Sequence, residues 1–229
     1  MSKKPPKKSD LEKNWLQKRH GKTVNILPEY HLIVTEGKKT EPLYFKGLKL
    51  EIDLKYGNRG RGRIDIRIEG EGVNTLTLLD RAKNHVADSP NQIRHVWLVY
   101  DKDDFPLDNF DNTALGCRDL SNENITYHAL WSNQCIELWF MLHFDYLQSD
   151  LHRTEYKPRL DSYLNVINKG VYAKNRSYIY EVLREFMPTA IANAKRLYES
   201  FIDKTPSRVA PGTMIYELFE ELQPYMKKF

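Results

Sequence analysis

Cysteine is scarce in this chain: Cys117 and Cys135 are the only two. They are too few for a disulfide scaffold and lack the paired spacing of a zinc site, so a reduced, cytoplasmic setting is the expectation. Long apolar runs are missing too. None approaches the roughly 20 residues that span a bilayer, and the basic N-terminus lacks the apolar stretch of a secretory signal. No membrane association is expected. There is no Gly-x-x-x-x-Gly-Lys-Ser/Thr loop, which excludes ATP hydrolysis of that kind. Neither the strand aromatics of an RRM nor the GXXG loop of a KH domain is present. The histidines are scattered: His85, His95, His128 and His152 show no partner spacing, and His143 falls in an apolar helix where packing is its expected role.

What is there suffices for a folded core. With 229 residues and a hydrophobic share of 41%, the chain reads as one large domain or one domain with a helical annex. Charge is unevenly placed. Residues 1–23 carry eight Lys or Arg against Asp10 and Glu12, a net +6, whereas the whole chain nets +4, so the remainder is slightly acidic. A basic leader (1–23) therefore precedes the body, either as a phosphate-screening arm or as a solvated tail.

The body alternates between the two periodicities. His31–Thr35 and Val96–Tyr100 are continuous apolar runs that read as buried strands, and Ile64, Ile66 and Ile68 alternate with charges as in a half-buried one. A shorter strand is expected over Ile125–Leu130. Between them, Thr40–Leu54 and Asn74–Ala87 have helical spacing, with Leu43, Phe45, Leu48, Leu50 and Leu54 as packing residues of the first and Asn74 as the cap of the second. The order implies an α/β core over 24–133, a mostly parallel sheet with helices on both faces. From 134 to 229 the pattern is helical, with helices expected near 156–167, 176–186, 188–203 and 213–227 and with Pro188 and Pro211 at or just before helix starts.

In such a sheet ligands gather beyond the carboxyl ends of strands, where strand order reverses. The first strand ends in Glu36-Gly37, and "VWLVYDKDDF" ends in Asp101, Asp103 and Asp104. If these strands are neighbours, the acids converge. Crowded carboxylates need compensation, and hard oxygen ligands without nearby histidine suit Mg²⁺ or Mn²⁺. Asp101 and Asp103 share a side while the chain stays extended, and Gly37 permits a sharp turn and a close approach. The bland alternative is a polar turn after each strand.

The pair of a strand-terminal Glu-Gly and a later Asp-x-Asp resembles the Toprim domain of topoisomerases, primases and OLD-type nucleases. The words "TEGKKTEPLYF", "VYDKDDF", "SNQCIELWFMLHF", "VYAKN" and "AIANAKRL" together resemble the RloB family of Toprim-like proteins, which includes the second component of AbiL-type phage-defence pairs. The chain departs from that pattern at Thr35, where cysteine is common, and at "APGTMIYEL". The resemblance implies a Toprim-like (Rossmann-like) fold with a C-terminal helical extension. It also implies Mg²⁺- or Mn²⁺-dependent hydrolysis of phosphodiesters, with Glu36, Asp101 and Asp103 as metal ligands and catalytic residues. It further implies a role in anti-phage defence beside an ABC or OLD-like ATPase partner, and leaves room for a homodimer. RNA, tRNA among them, is favoured over DNA as substrate; DNA nicking and a non-catalytic binding subunit are the alternatives.

Further residues carry two readings each. Glu137 is a metal ligand or a helix N-terminal acid. Asn133, beside Ser132, is a phosphate ligand or, preferably, a helix cap. Glu41, five positions after Glu36, is a second acid of the site or a stabiliser of the first helical turn. Lys174 matches a lysine of the RloB family and is a catalytic residue or a solvated loop lysine. Lys38 and Lys39, with Arg59, Arg61 and Arg63 of the glycine-arginine loop, are candidates for nucleic-acid contact. Tyr172, Tyr178 and Tyr180 would form a stacking platform or pack in the core.

Overall fold

The computed structural model describes residues 28–56, 64–103 and 107–228. The basic leader, Arg59, Arg61, Arg63 and Asp104 lie outside the described residues.

Strand β1 (Glu29–Thr35) pairs in parallel with β2 (Ile64–Gly70) on one side and β3 (Ile93–Asp101) on the other. Beyond β3 come β4 (Thr126–Asn133), also parallel, and the two-residue β5 (Gly212–Thr213), antiparallel, giving the order β2-β1-β3-β4-β5. The central strands read as unbroken apolar runs because both faces are covered; Leu32, Ile33, Val34, Val96, Leu98 and Val99 are fully buried. Strand β2, at the edge, instead alternates buried Ile64 and Ile66 with exposed Asp65 and Arg67. The mostly parallel α/β sheet expected from the sequence is thus present. A two-residue strand is too short to leave a period, and β5 was not expected; Pro211 leads into it rather than into a helix.

Helices α1 (Thr40–Tyr56), α2 (Thr75–Ala87) and α3 (Leu107–Leu120) connect the parallel strands. Asn74 caps α2 as expected, its side chain accepting from the Thr77 amide at 3.1 Å. Helices α2 and α3 pack together, as right-handed crossovers on one face require. On α1, Phe45 and Leu48 are buried but Leu50 and Leu54 are 52% and 65% exposed, so the expected packing face is narrower than the leucines suggested. Helices α4 (Glu137–Leu142), α5 (Tyr156–Val166), α6 (Ile179–Leu183), α7 (Met187–Glu199) and α8 (Ile215–Leu222) make up the C-terminal part. Pro188 sits in the first turn of α7, where a missing N–H costs nothing. Helix α4 is buried all round, contacting α5 and α7, and α6 lies against α1. Trp139 donates through Nε1 to the Tyr44 hydroxyl at 2.8 Å and stacks on Phe219, which joins α4 to α1 and α8. Tyr172 and Tyr180 are buried in this core, which rules them out as a stacking platform; Tyr178 is exposed beneath the Arg176 guanidinium.

This topology positions the site. The connections from β1 and from β3 leave in opposite directions while the two strands lie side by side, so a crevice opens at their carboxyl ends.

Candidate metal centre

At the end of β1 the Glu36 amide donates to Val99 O of β3 at 2.9 Å, keeping the strands together one residue past Thr35. The Thr35 hydroxyl donates to Gly37 O at 2.8 Å and fixes the turn. Gly37 has a specific task. A Cβ there would collide with the Glu41 carboxylate, which lies directly over it. The close approach that glycine permits is therefore by this chain's own acid. Glu41, in the first turn of α1, is 8% exposed and so belongs to the site and not to the solvated helix surface.

Glu36 accepts through Oε2 from the Thr75 hydroxyl and from the Asp101 amide, both at 3.3 Å; among the described residues its Oε1 has no hydrogen-bond partner. Burial pushes its carboxyl from 4.5 up to about 7; the two hydrogen bonds oppose the rise, and Asp103 and Glu41 add to it. Asp101 closes β3. Burial, then the carboxylates of Glu41, Glu137 and Asp103, hold its carboxyl well above the usual range. Among the described residues its Oδ1 is buried without a hydrogen-bond partner.

Asp103 reaches the same group by another route than expected. The chain does not stay extended: Asp103 has φ of 43°, in the left-handed region that aspartate tolerates better than most side chains. Its amide donates to Gln134 O at 3.0 Å, and the Lys102 amide to Ser132 O at 3.0 Å, so the turn is hung on the end of β4. Strand alternation is thus not what brings Asp101 and Asp103 together. The Asp103 carboxylate pairs with Arg153, Oδ1 to Nη1 at 3.0 Å.

Glu137 lies behind this group at the start of α4, 5% exposed. Its Oε1 accepts from the Tyr172 hydroxyl at 2.9 Å and faces Lys174 Nζ at 3.5 Å. The Glu137 charge is the largest influence holding the Lys174 ammonium above its ordinary value. The loop that carries Lys174 is tied to the mouth of the site by the Thr40 hydroxyl, which donates to Lys174 O at 2.8 Å. Asn133 does not cap α4: the cap position is Ile136, without a side-chain bond, and the Asn133 amide group reaches Pro206 O at 3.5 Å. Ser132 instead bonds Thr213 of β5.

A cavity of about 790 Å³ opens over the acids, lined by Glu36, Glu41, Asp101 and Asp103 and rimmed by Lys38, Lys39, Arg153, Lys157 and Lys174. Arg153, Lys157 and Thr75 were missed in the sequence. Nothing in their spacing marks them, because each comes from an element remote in the chain from Glu36, Asp101 and Asp103. The donor set is oxygen-rich, with the thiol of Cys135 nearby held protonated chiefly by burial. Together with the orphaned Asp101 oxygen, it fits a hard divalent cation that Glu36, Glu41, Asp101 and Asp103 could hold.

A second cluster sits at the opposite end of the strands, where Glu29, His31 and His95 bring ligand atoms within 4.8 Å of one another. It fits a metal poorly. Trp97 Nε1–H can only donate, and it donates to His31 Nδ1 at 3.1 Å. The neutral His31 ring then carries its proton on Nε2 and has no second lone pair to offer. His95 is engaged on both sides, with Glu29 at 3.0 Å and His128 at 3.1 Å. These histidines, unpaired in the sequence, form a stacked, hydrogen-bonded layer with Trp97. His143 is packing, as expected, with Nδ1 on Trp139 O.

Fold and site together define an α/β protein of Rossmann-like build whose acids gather at the switch point of a mostly parallel sheet. The RloB-like protein family model matches residues 31–222, and the chain belongs to that family. No curated protein and no solved structure matches it. No helix among the described residues is long and apolar enough to cross a membrane.

Proposed function

We propose that this protein is a divalent-metal-dependent nuclease of Toprim type that hydrolyses phosphodiester bonds, in RNA by preference, as an effector of anti-phage defence in the cytoplasm. The observation that carries this reading is the Oδ1 of Asp101, buried and without a hydrogen-bond partner among the described residues, set among three further acids beneath a cationic rim. Charges so placed weaken the fold unless a cation joins them. A magnesium or manganese ion held there would polarise the phosphoryl group and make a water more acidic.

The chain's own groups have separate parts. Thr75 and the Asp101 amide orient the Glu36 carboxylate. Lys38 and Lys39 on the rim would offer charge to the phosphates flanking the scissile bond. Lys174, 76% exposed and leashed by Glu137, would stabilise negative charge that develops on the phosphoryl oxygens. The preference for RNA, the place in defence and an ABC or OLD-like ATPase companion rest on the family. A non-catalytic metal- or partner-binding subunit is the rival reading, and the engagement of Asp103 by Arg153 is what favours it.

The test is cleavage by the purified chain, alone and with its ATPase neighbour, of tRNA, single-stranded RNA and DNA. Metal-dependent cleavage is expected, with Glu36→Ala and Asp103→Ala slower by on the order of a thousandfold. Sequencing of RNA ends and of DNA breaks after induction in cells identifies the substrate: defined Glu36-dependent RNA ends support RNA, and Glu36-dependent DNA breaks with intact RNA overturn that preference. Absence of metal-dependent cleavage under every condition favours the binding subunit.

A further inference from the structure

Arg153 links the acids to the rim. It begins a 3-10 turn (Arg153–Glu155), and its backbone is fixed: its amide donates to the Gln134 side-chain oxygen at 3.1 Å. Gln134 also accepts, through its backbone carbonyl, from the Asp103 amide at 3.0 Å. Arg153 and Asp103 are therefore held on two sides of Gln134. The guanidinium lies on Asp103 Oδ1 at 3.0 Å, yet the two side chains are 41% and 34% exposed. An ion pair so exposed is cheap to break.

Asp103 cannot serve Arg153 and a divalent cation equally. An arriving cation shares the carboxylate's charge and repels the guanidinium. Arg153 lines the same cavity as Lys157, which keeps to its own acid, Asp161, at 2.7 Å. A planar five-donor fork released at that mouth matches the two free oxygens of a phosphodiester.

We propose that Arg153 is an exchangeable counter-ion: it neutralises Asp103 while the acid cluster is without metal, and it turns to the substrate phosphate once metal binds. This inference rests on the metal-site reading above. Metal would then be needed to present the phosphate-binding arginine as well as for the chemistry, which couples nucleic-acid affinity to cation occupancy. The coupling is reciprocal, so nucleic acid also tightens the hold on the cation.

The test uses the full chain and two measurements that move in opposite directions. Calorimetric titration with Mn²⁺ alone is expected to show Arg153→Ala binding about two- to fivefold more tightly than the parent, the small effect fitting a half-exposed pair. Fluorescence anisotropy with a labelled single-stranded RNA 20-mer in Ca²⁺ is expected to show the same variant binding about tenfold more weakly, through loss of a charge-assisted contact. Arg153→Lys keeps the charge and loses the fork, so it should match the parent for Mn²⁺ and fall between the two for RNA. If Arg153→Ala binds Mn²⁺ as the parent does, or more weakly, Arg153 is a support of the site and the proposal is overturned; an unchanged RNA affinity overturns its second half. A parent that takes up no Mn²⁺ at all would sink the metal-site reading itself, which is a separate result.

Discussion

Glu36→Gln should stabilise the metal-free protein, increasingly as pH rises above about 4.5 and fully once pH passes about 7. Glutamine keeps the shape of the side chain and an oxygen that accepts from Thr75 and the Asp101 amide. What it removes is a carboxylate that burial holds at about 7 in place of 4.5. The folded-state pKa is raised, so the folded protein binds the extra proton. Below pH 4.5 the group costs nothing, and its penalty grows as pH rises and is complete once pH passes about 7. A rise of about 2.5 units at about 1.36 kcal/mol each gives roughly 3 kcal/mol, reduced to about 2 for a site open to a water-filled cavity. Urea unfolding in EDTA measures this directly. The variant should exceed the parent by about 2 kcal/mol at pH 8 and match it near pH 4.5. Saturating Mn²⁺ should erase or reverse the difference at pH 8, because the cation stabilises the parent through Glu36. Equal stability of the two proteins at pH 8, or a gain that does not shrink as the pH is lowered, would refute the reasoning.

Other outcomes follow from single contacts. Gly37→Ala should push the Glu41 carboxylate aside and weaken Mn²⁺ binding by about tenfold or more, with little loss of thermal stability, since the clash is with the end of a side chain. Tyr172→Phe removes the hydroxyl that orients Glu137 and should lower divalent affinity by about tenfold in the same titration. Trp97→Phe leaves the buried Nδ1 of His31 without its donor and should cost about 1–3 kcal/mol in urea unfolding, with Mn²⁺ binding unchanged because the histidine layer lies at the far end of the sheet.

The parts of the site legible in the sequence are those that strand ends announce. Glu36 and Asp101 each follow a run of buried apolar residues, and a polar group at that place in a parallel sheet lies at its ligand edge. Glu137 follows β4 in the same way, four residues after the strand has ended. The supporting residues obey no such rule. Thr75 comes from the second crossover and Arg153 from a turn well past the sheet, and each meets its acid only because the chain folds back. Asp103 reaches the other acids by a route the alternation did not indicate: its left-handed backbone, anchored on Gln134, replaces the inferred extended geometry. Strand β5 is invisible because two residues carry no period. Asn133 was misread as a cap because Asn beside Ser is a common helix start, whereas here both residues are tied to the neighbouring Pro206–Thr213 segment. Tyr172, Tyr178 and Tyr180 were ambiguous because their burial depends on α4 and α1, which the local sequence does not contain.

The central claim is that the acids at the β1–β3 switch point hold a divalent cation. Electron paramagnetic resonance of Mn²⁺ reads this most directly, since the free ion's signal is lost on binding. The parent at neutral pH should deplete free Mn²⁺ in stoichiometric proportion, and Asp101→Asn, which leaves the fold and every other acid in place, should abolish that uptake. An Asp101→Asn protein that binds Mn²⁺ as the parent does would contradict the account.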